Sequence, residues 1–159
     1  MSLQNRKAFT MLELIFVIVV IGILSAVAIP KFALTRDSAV QSKMRTTLAA
    51  VRSSIATESQ KRILRGIFGG ITDLDADPVP GRMFTTFNDP GGIPAAQRAV
   101  LQYPVQGGNG DGQWSKAGAV YTANFNSGGC QFTLANNRLT LTGFTGTMTL
   151  ARCQQIFEN

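Results

Sequence analysis

The stretch from Phe9 to Ile29 limits what this chain can fold into more than any other. It reads FTMLELIFVIVVIGILSAVAI, and Glu13 is its only charge. At 1.5 Å per residue a helix of this length spans about 31 Å, close to the ~30 Å hydrocarbon core of a bilayer. The core helix of a small domain keeps a polar face, and this segment has none. Two membrane-directed readings remain. A conventional secretory signal would take Arg6 and Lys7 as its basic start and Ala26-Val27-Ala28 as an A-x-A cleavage site. Against that reading, the apolar stretch is longer than a usual signal core and an acid interrupts it near its beginning. A retained membrane helix fits better.

Glu13 carries much of that choice. An ionisable group inside a membrane span costs about 2.5–3.5 kcal/mol at the centre and less near an end. A carboxylate placed there either snorkels to the interface or meets a positive partner. Arg6 and Lys7, seven and six residues upstream, are the nearest bases.

Composition narrows the rest. A chain of 159 residues accommodates one compact domain plus an appendage. The absence of histidine removes the commonest general base, the commonest transition-metal ligand and any Ser-His-Asp arrangement. No enzymatic activity and no cofactor are expected. Cys130 and Cys153 permit one intramolecular bridge or two buried free thiols, depending on the redox compartment. The net charge of +6 is spread from Arg6 to Arg152, mildly concentrated between Lys31 and Arg65. A solvated helix face explains that concentration. DNA binding through this helix, or through an exposed Trp114, is the rival.

Beyond Pro30 the helical signal continues. Val40, Met44, Leu48, Val51 and Ile55 recur at spacings of three and four, marking one apolar face. One helix is expected from Phe9 to Arg65, broken or kinked at Pro30, where the missing N–H frees the carbonyl of Ala26. Gly66 and Gly69-Gly70 supply its stop. Gly22 with Ala26 forms a small-x-x-x-small pair suited to close helix approach. Residues 66–113 read as a long irregular region with a short helix around Ala95–Leu101. Asp73, Asp75 and Asp77 alternate like part of a calcium loop but lack the glycine and distant glutamate of an EF-hand, so they read as loop acids and only weak metal candidates. From Gln113 onward the pattern is that of strands, at Gly118–Phe125, Cys130–Ala135, Arg138–Thr142 and Thr147–Cys153. This antiparallel meander needs a cover, and the Val40–Ile55 face provides it.

Lys7-Ala8-Phe9-Thr10-Met11-Leu12-Glu13-Leu14, followed by the apolar run and Ile29-Pro30, resembles the class III signal of type IV prepilins and type II secretion pseudopilins. The likeness covers about thirty residues. It implies an α+β, pilin-like fold with a long N-terminal helix, half membrane and half amphipathic, packed on a C-terminal antiparallel sheet. It also implies a leader of residues 1–8, an assembly helix of 9–29 and a head of 30–159 that includes the amphipathic half 30–65. A membrane-embedded prepilin peptidase and N-methyltransferase would cut between Ala8 and Phe9 and methylate Phe9. Ala8 stands where the family usually has glycine. The resemblance places the leader in the cytoplasm and the head outside the bacterial inner membrane. Cys130 and Cys153 would then lie in an oxidising periplasm and pair. The implied partners are like subunits in a filament, the inner-membrane assembly platform and the lipid bilayer. Glu13 of an incoming subunit would meet the Phe9 amine of a neighbour, with Gly22 and Pro30 shaping the packing. After cleavage the Phe9 ammonium also lies four residues before Glu13, on the same helix face. The filament is either a type IV pilus or a secretion pseudopilus. A binding protein released by conventional cleavage after Ala28, or a DNA-binding minor pilin, is the alternative.

Overall fold

The structure is a computed structural model that describes residues 9–158. Ala8 and the other residues of the expected leader lie outside the described residues. The chain divides into two units, Met1–Ala39 and Val40–Asn159.

Helix α1 runs Met11–Leu64 and contributes to both units. Thr10 starts it. Its Oγ1 accepts the Glu13 N–H at 3.2 Å, satisfying one of the free donors of the first turn. The Thr-x-x-Glu spacing is that of a capping box. Lys61 and Arg62 sit in the last turn, where the helix dipole favours cations. Gly66, at φ +72°, closes the helix in a Schellman pattern. Its N–H reaches Ile63 O at 3.0 Å, and Ile67 N–H reaches Arg62 O at 2.8 Å. Of the break or kink expected at Pro30, the break is not present, because α1 is helical on both sides of it. Proline removes one hydrogen bond there without ending the helix.

In the second unit a two-stranded ribbon pairs β1 (Arg82–Met83) with β2 (Val105–Gln106). A four-stranded antiparallel sheet follows in the order β3 (Gln113–Ala117), β4 (Val120–Phe125), β5 (Gly128–Ala135) and β6 (Arg138–Gly146). Asn136 and Asn137, at φ +50° and +57°, make the two-residue β5–β6 turn that twisted hairpins prefer. Met44, Leu48, Val51 and Ile55 of α1 are buried in one cluster with Trp114, Tyr121, Phe132 and Leu139 of the sheet. This is the expected cover. Burying such apolar side chains contributes about 1.5–3 kcal/mol each, the main stabilisation of the unit.

The chain departs from expectation elsewhere too, beginning with the β1–β2 ribbon inside the region expected to be irregular. Thr147–Cys153 is not a strand. The chain leaves the sheet and forms helix α2 (Leu150–Phe157), with Thr149 Oγ1 capping the Arg152 N–H at 3.2 Å. Cys153 and Ile156 are its buried residues, at a helical spacing. Strand β3 precedes the four strands expected after Gln113, and β6 continues to Gly146 instead of stopping at Thr142. The helix around Ala95–Leu101 shrinks to a 3₁₀ turn at Ala95–Gln97. Arg98 ends it, because its guanidinium turns inward to Ile93 O, Phe87 O and Asp77 Oδ2.

Candidate functional site

The N-terminal segment presents an apolar surface with a single acid. Leu12, Ile15, Phe16, Val19, Ile23 and Val27 are more than half exposed, and α1 is long and apolar enough to cross a membrane. Glu13 is exposed in the first turn of that helix, one turn after Phe9. The structure therefore places Phe9 and Glu13 at the same end of the apolar surface. Thr10, which the sequence reading passed over, holds the backbone of Glu13 through its cap. Its signal is the capping-box spacing itself. Gly22 has no heavy atom within 4 Å of where a Cβ would stand, so it leaves an open notch on the helix surface. Pro30 lies inside α1.

The three alternating aspartates, Asp73, Asp75 and Asp77, are engaged with protein donors, each differently. Asp73 Oδ1 accepts from Lys116 Nζ at 2.5 Å, from the Tyr121 hydroxyl at 3.2 Å and from the Asp75 N–H at 2.7 Å. Burial pushes its proton affinity up, but these donors outweigh burial and hold the carboxyl below its ordinary value. Asp75 Oδ1 accepts from the N–H and hydroxyl of Thr85. Burial dominates at Asp75 and raises its carboxyl above the usual range. Asp77 Oδ2 pairs with Arg98 at 3.0 Å and accepts from Thr86 Oγ1. Among the described residues no group of three or more potential ligands converges as a metal site would require. Tyr121, fully buried, accepts the Leu74 N–H at 2.9 Å, and burial pushes its hydroxyl far up from the ordinary value.

Most basic residues of α1 are exposed, as a solvated face implies, among them Lys31, Arg36, Lys43, Arg45 and Lys61, but several also tie the helix to the head. Lys43 donates to Gly112 O at 3.0 Å and Arg52 to Leu139 O at 3.0 Å. Arg45 donates to the carbonyls of Gln155 and Ile156 at the end of α2. Arg62 is buried against Glu58 at 3.1 Å and reaches Gly70 O and Asn88 O. Trp114 is not the exposed ring that nucleic-acid stacking needs. It is 1% exposed, edge-on to Phe84 at 5.1 Å.

Cys130 of β5 and Cys153 of α2 form a disulfide, with Sγ atoms 2.03 Å apart. Phe157 adds an edge contact to Phe132 at 5.0 Å. The terminal helix is thus tied to the sheet by the disulfide and aromatic packing, and to α1 by Arg45.

Comparison with known proteins agrees with this arrangement. Residues 3–29 match the prokaryotic N-terminal methylation motif. Over 62 residues the chain is 48% identical to the type IV narrow pilus major component PilA5 of Thermus thermophilus, covering 38% of this chain. The chain spans about half the length of that relative, 53%. No solved structure matches it significantly. The motif and the identity together support the type IV pilin family. A long N-terminal helix followed by an antiparallel sheet is a pilin-like α+β arrangement.

Proposed function

We propose that this chain is a structural subunit of a type IV pilus, anchored first in the inner membrane by its N-terminal helix and then packed through that helix into the filament core. The supporting observation is the exposed apolar surface of α1 with one acid, Glu13, at its capped end. Such a surface needs either lipid or like helices around it. The identity to PilA5, a pilus component, favours a pilus over a secretion pseudopilus.

In this reading the prepilin peptidase cuts after Ala8 and methylates Phe9, leaving an ammonium group at the tip of the helix. Glu13 of an incoming subunit then pairs with the Phe9 amine of a neighbour. Buried ion pairs contribute register more dependably than net stability, which suits a subunit that must dock at one height. Gly22 allows close helix approach, and the missing hydrogen bond at Pro30 gives local freedom. The head, residues 30–159, stays outside the cytoplasm. The assembly platform of the inner membrane is the remaining partner, and no chemical step is assigned to the chain.

N-terminal mass spectrometry of the mature protein tests this directly. A methylated Phe9 is expected. A mature protein beginning at Ile29 would make it a conventionally secreted protein.

A further inference from the structure

Two unpaired polar atoms belong to residues that line one cleft of the head, and a strained residue packs against one of them. Two buried side-chain polar atoms lack a hydrogen-bond partner among the described residues, Asp75 Oδ2 and Trp114 Nε1. Both residues are more than nine-tenths buried, and both line the same cleft of about 390 Å³. Such atoms carry their full desolvation penalty and are rare in folded proteins. The strained residue is Phe84, fully buried at φ +61°, a left-handed conformation that aromatic residues seldom adopt. Asn136 and Asn137 also have positive φ, but their hairpin turn requires it. No turn of that kind explains Phe84. It packs on Trp114, and the next residue, Thr85, fixes Asp75 through Oδ1. Unpaired polar atoms on two residues of one cleft, with strain packed against one of them, point to a binding site.

The two atoms define what would fit. An ionised carboxylate oxygen only accepts and an indole N–H only donates. A hydroxyl group does both, and neighbouring hydroxyls on one ring can serve the two atoms together. The lining charges are mixed, Asp75 against Arg82 and Lys116, and the two cations are already engaged by Pro104 O and Asp73, which favours a neutral ligand. The walls at Pro78, Met83 and Gly107 offer neutral C–H surface. The volume lies at the small end of ligand pockets, which run from about 300 to 1,000 Å³. We propose that this cleft binds one neutral sugar ring, which donates a hydroxyl to Asp75 Oδ2 and accepts the Trp114 Nε1–H. Both atoms are screened from bulk water, so entry requires the β1–β2 ribbon, held by two residue pairs, to shift.

Trp114 is the chain's one tryptophan, so its indole N–H gives a single, assignable resonance. The full chain in detergent micelles, labelled with ¹⁵N, is titrated into the millimolar range with methyl glucoside, methyl galactoside, methyl mannoside and N-acetylglucosamine. A saturable shift of the indole resonance with at least one of them is expected, with nuclear Overhauser contacts to sugar C–H protons. Asp75→Asn, which keeps an oxygen for Thr85, should weaken that response about tenfold or more. The contacts in the unaltered protein decide the matter if the variant fails to fold. The idea is overturned by no saturable response to any sugar, by an equal response to acetamide, or by an indole N–H that contacts one trapped water and nothing else.

Discussion

Removing the Cys130–Cys153 bridge tests how the head holds its C-terminal helix. The bridge closes a loop with a sequence separation of 23. Loop-closure entropy for that length gives about 3.4 kcal/mol of stabilisation. For a folded unit of about 120 residues this corresponds to a fall in Tm of ~10–20 °C. The variant is Cys130→Ala with Cys153→Ala, which leaves no buried polar group behind. Thermal unfolding of the full chain, followed by near-ultraviolet circular dichroism, reads the shift. Helix α2 keeps its other ties, Ile156 in the core, Phe157 against Phe132 and Arg45 on its last carbonyls. Far-ultraviolet dichroism at low temperature should therefore be retained. A Tm unchanged within error would refute the loop-closure account. Loss of helical signal before heating would show that the bridge, and not the packing, holds α2 in place.

Three further outcomes follow from the head. Arg62→Ala should cost about 3–5 kcal/mol in denaturant unfolding, because it strands the buried Glu58 carboxylate and the carbonyls of Gly70 and Asn88. Replacing both partners, with Glu58→Leu and Arg62→Met, should cost less than the single change. Tyr121→Phe should cost about 1–3 kcal/mol, since the buried Leu74 N–H then loses its acceptor; a cost near zero would contradict that role. Asp73 is held below its ordinary value, so its ionised form contributes stability above the unfolded carboxyl pKa that is lost as pH falls through the folded one. Lys116→Met should thus destabilise the protein at neutral pH, and the difference from the unaltered chain should shrink below about pH 4. A pH-independent difference would assign the effect of Lys116 to packing.

The strongly periodic parts of the fold were legible in the sequence. The apolar run and the Val40–Ile55 stripe are local patterns, and both lie on α1. The same holds for the hairpin at Asn136-Asn137, where the turn chemistry is written in two adjacent residues. Helix α2 was misread because Thr147-Met148-Thr149-Leu150 alternates like a strand. The helical spacing of Cys153 and Ile156, and the Thr149 cap, carried the opposing signal. The roles of Arg45, Arg52 and Arg62 were hidden, since their acceptors lie far away in sequence or on irregular backbone. For the same reason the Asp75–Trp114 cleft has no sequence signature, as the two residues meet only through the fold. The N-terminal site is the opposite case: eight consecutive residues hold the acid, the cap and the proposed new terminus.

The central claim is that Glu13 is an assembly residue, and replacing it in cells measures this most directly. Glu13→Ala or Glu13→Val leaves the apolar helix intact and removes the acid's membrane cost. Both variants should insert normally and carry a methylated Phe9, but enter filaments poorly. Filaments at the unaltered level, built from correctly processed subunits, would contradict the role assigned to Glu13.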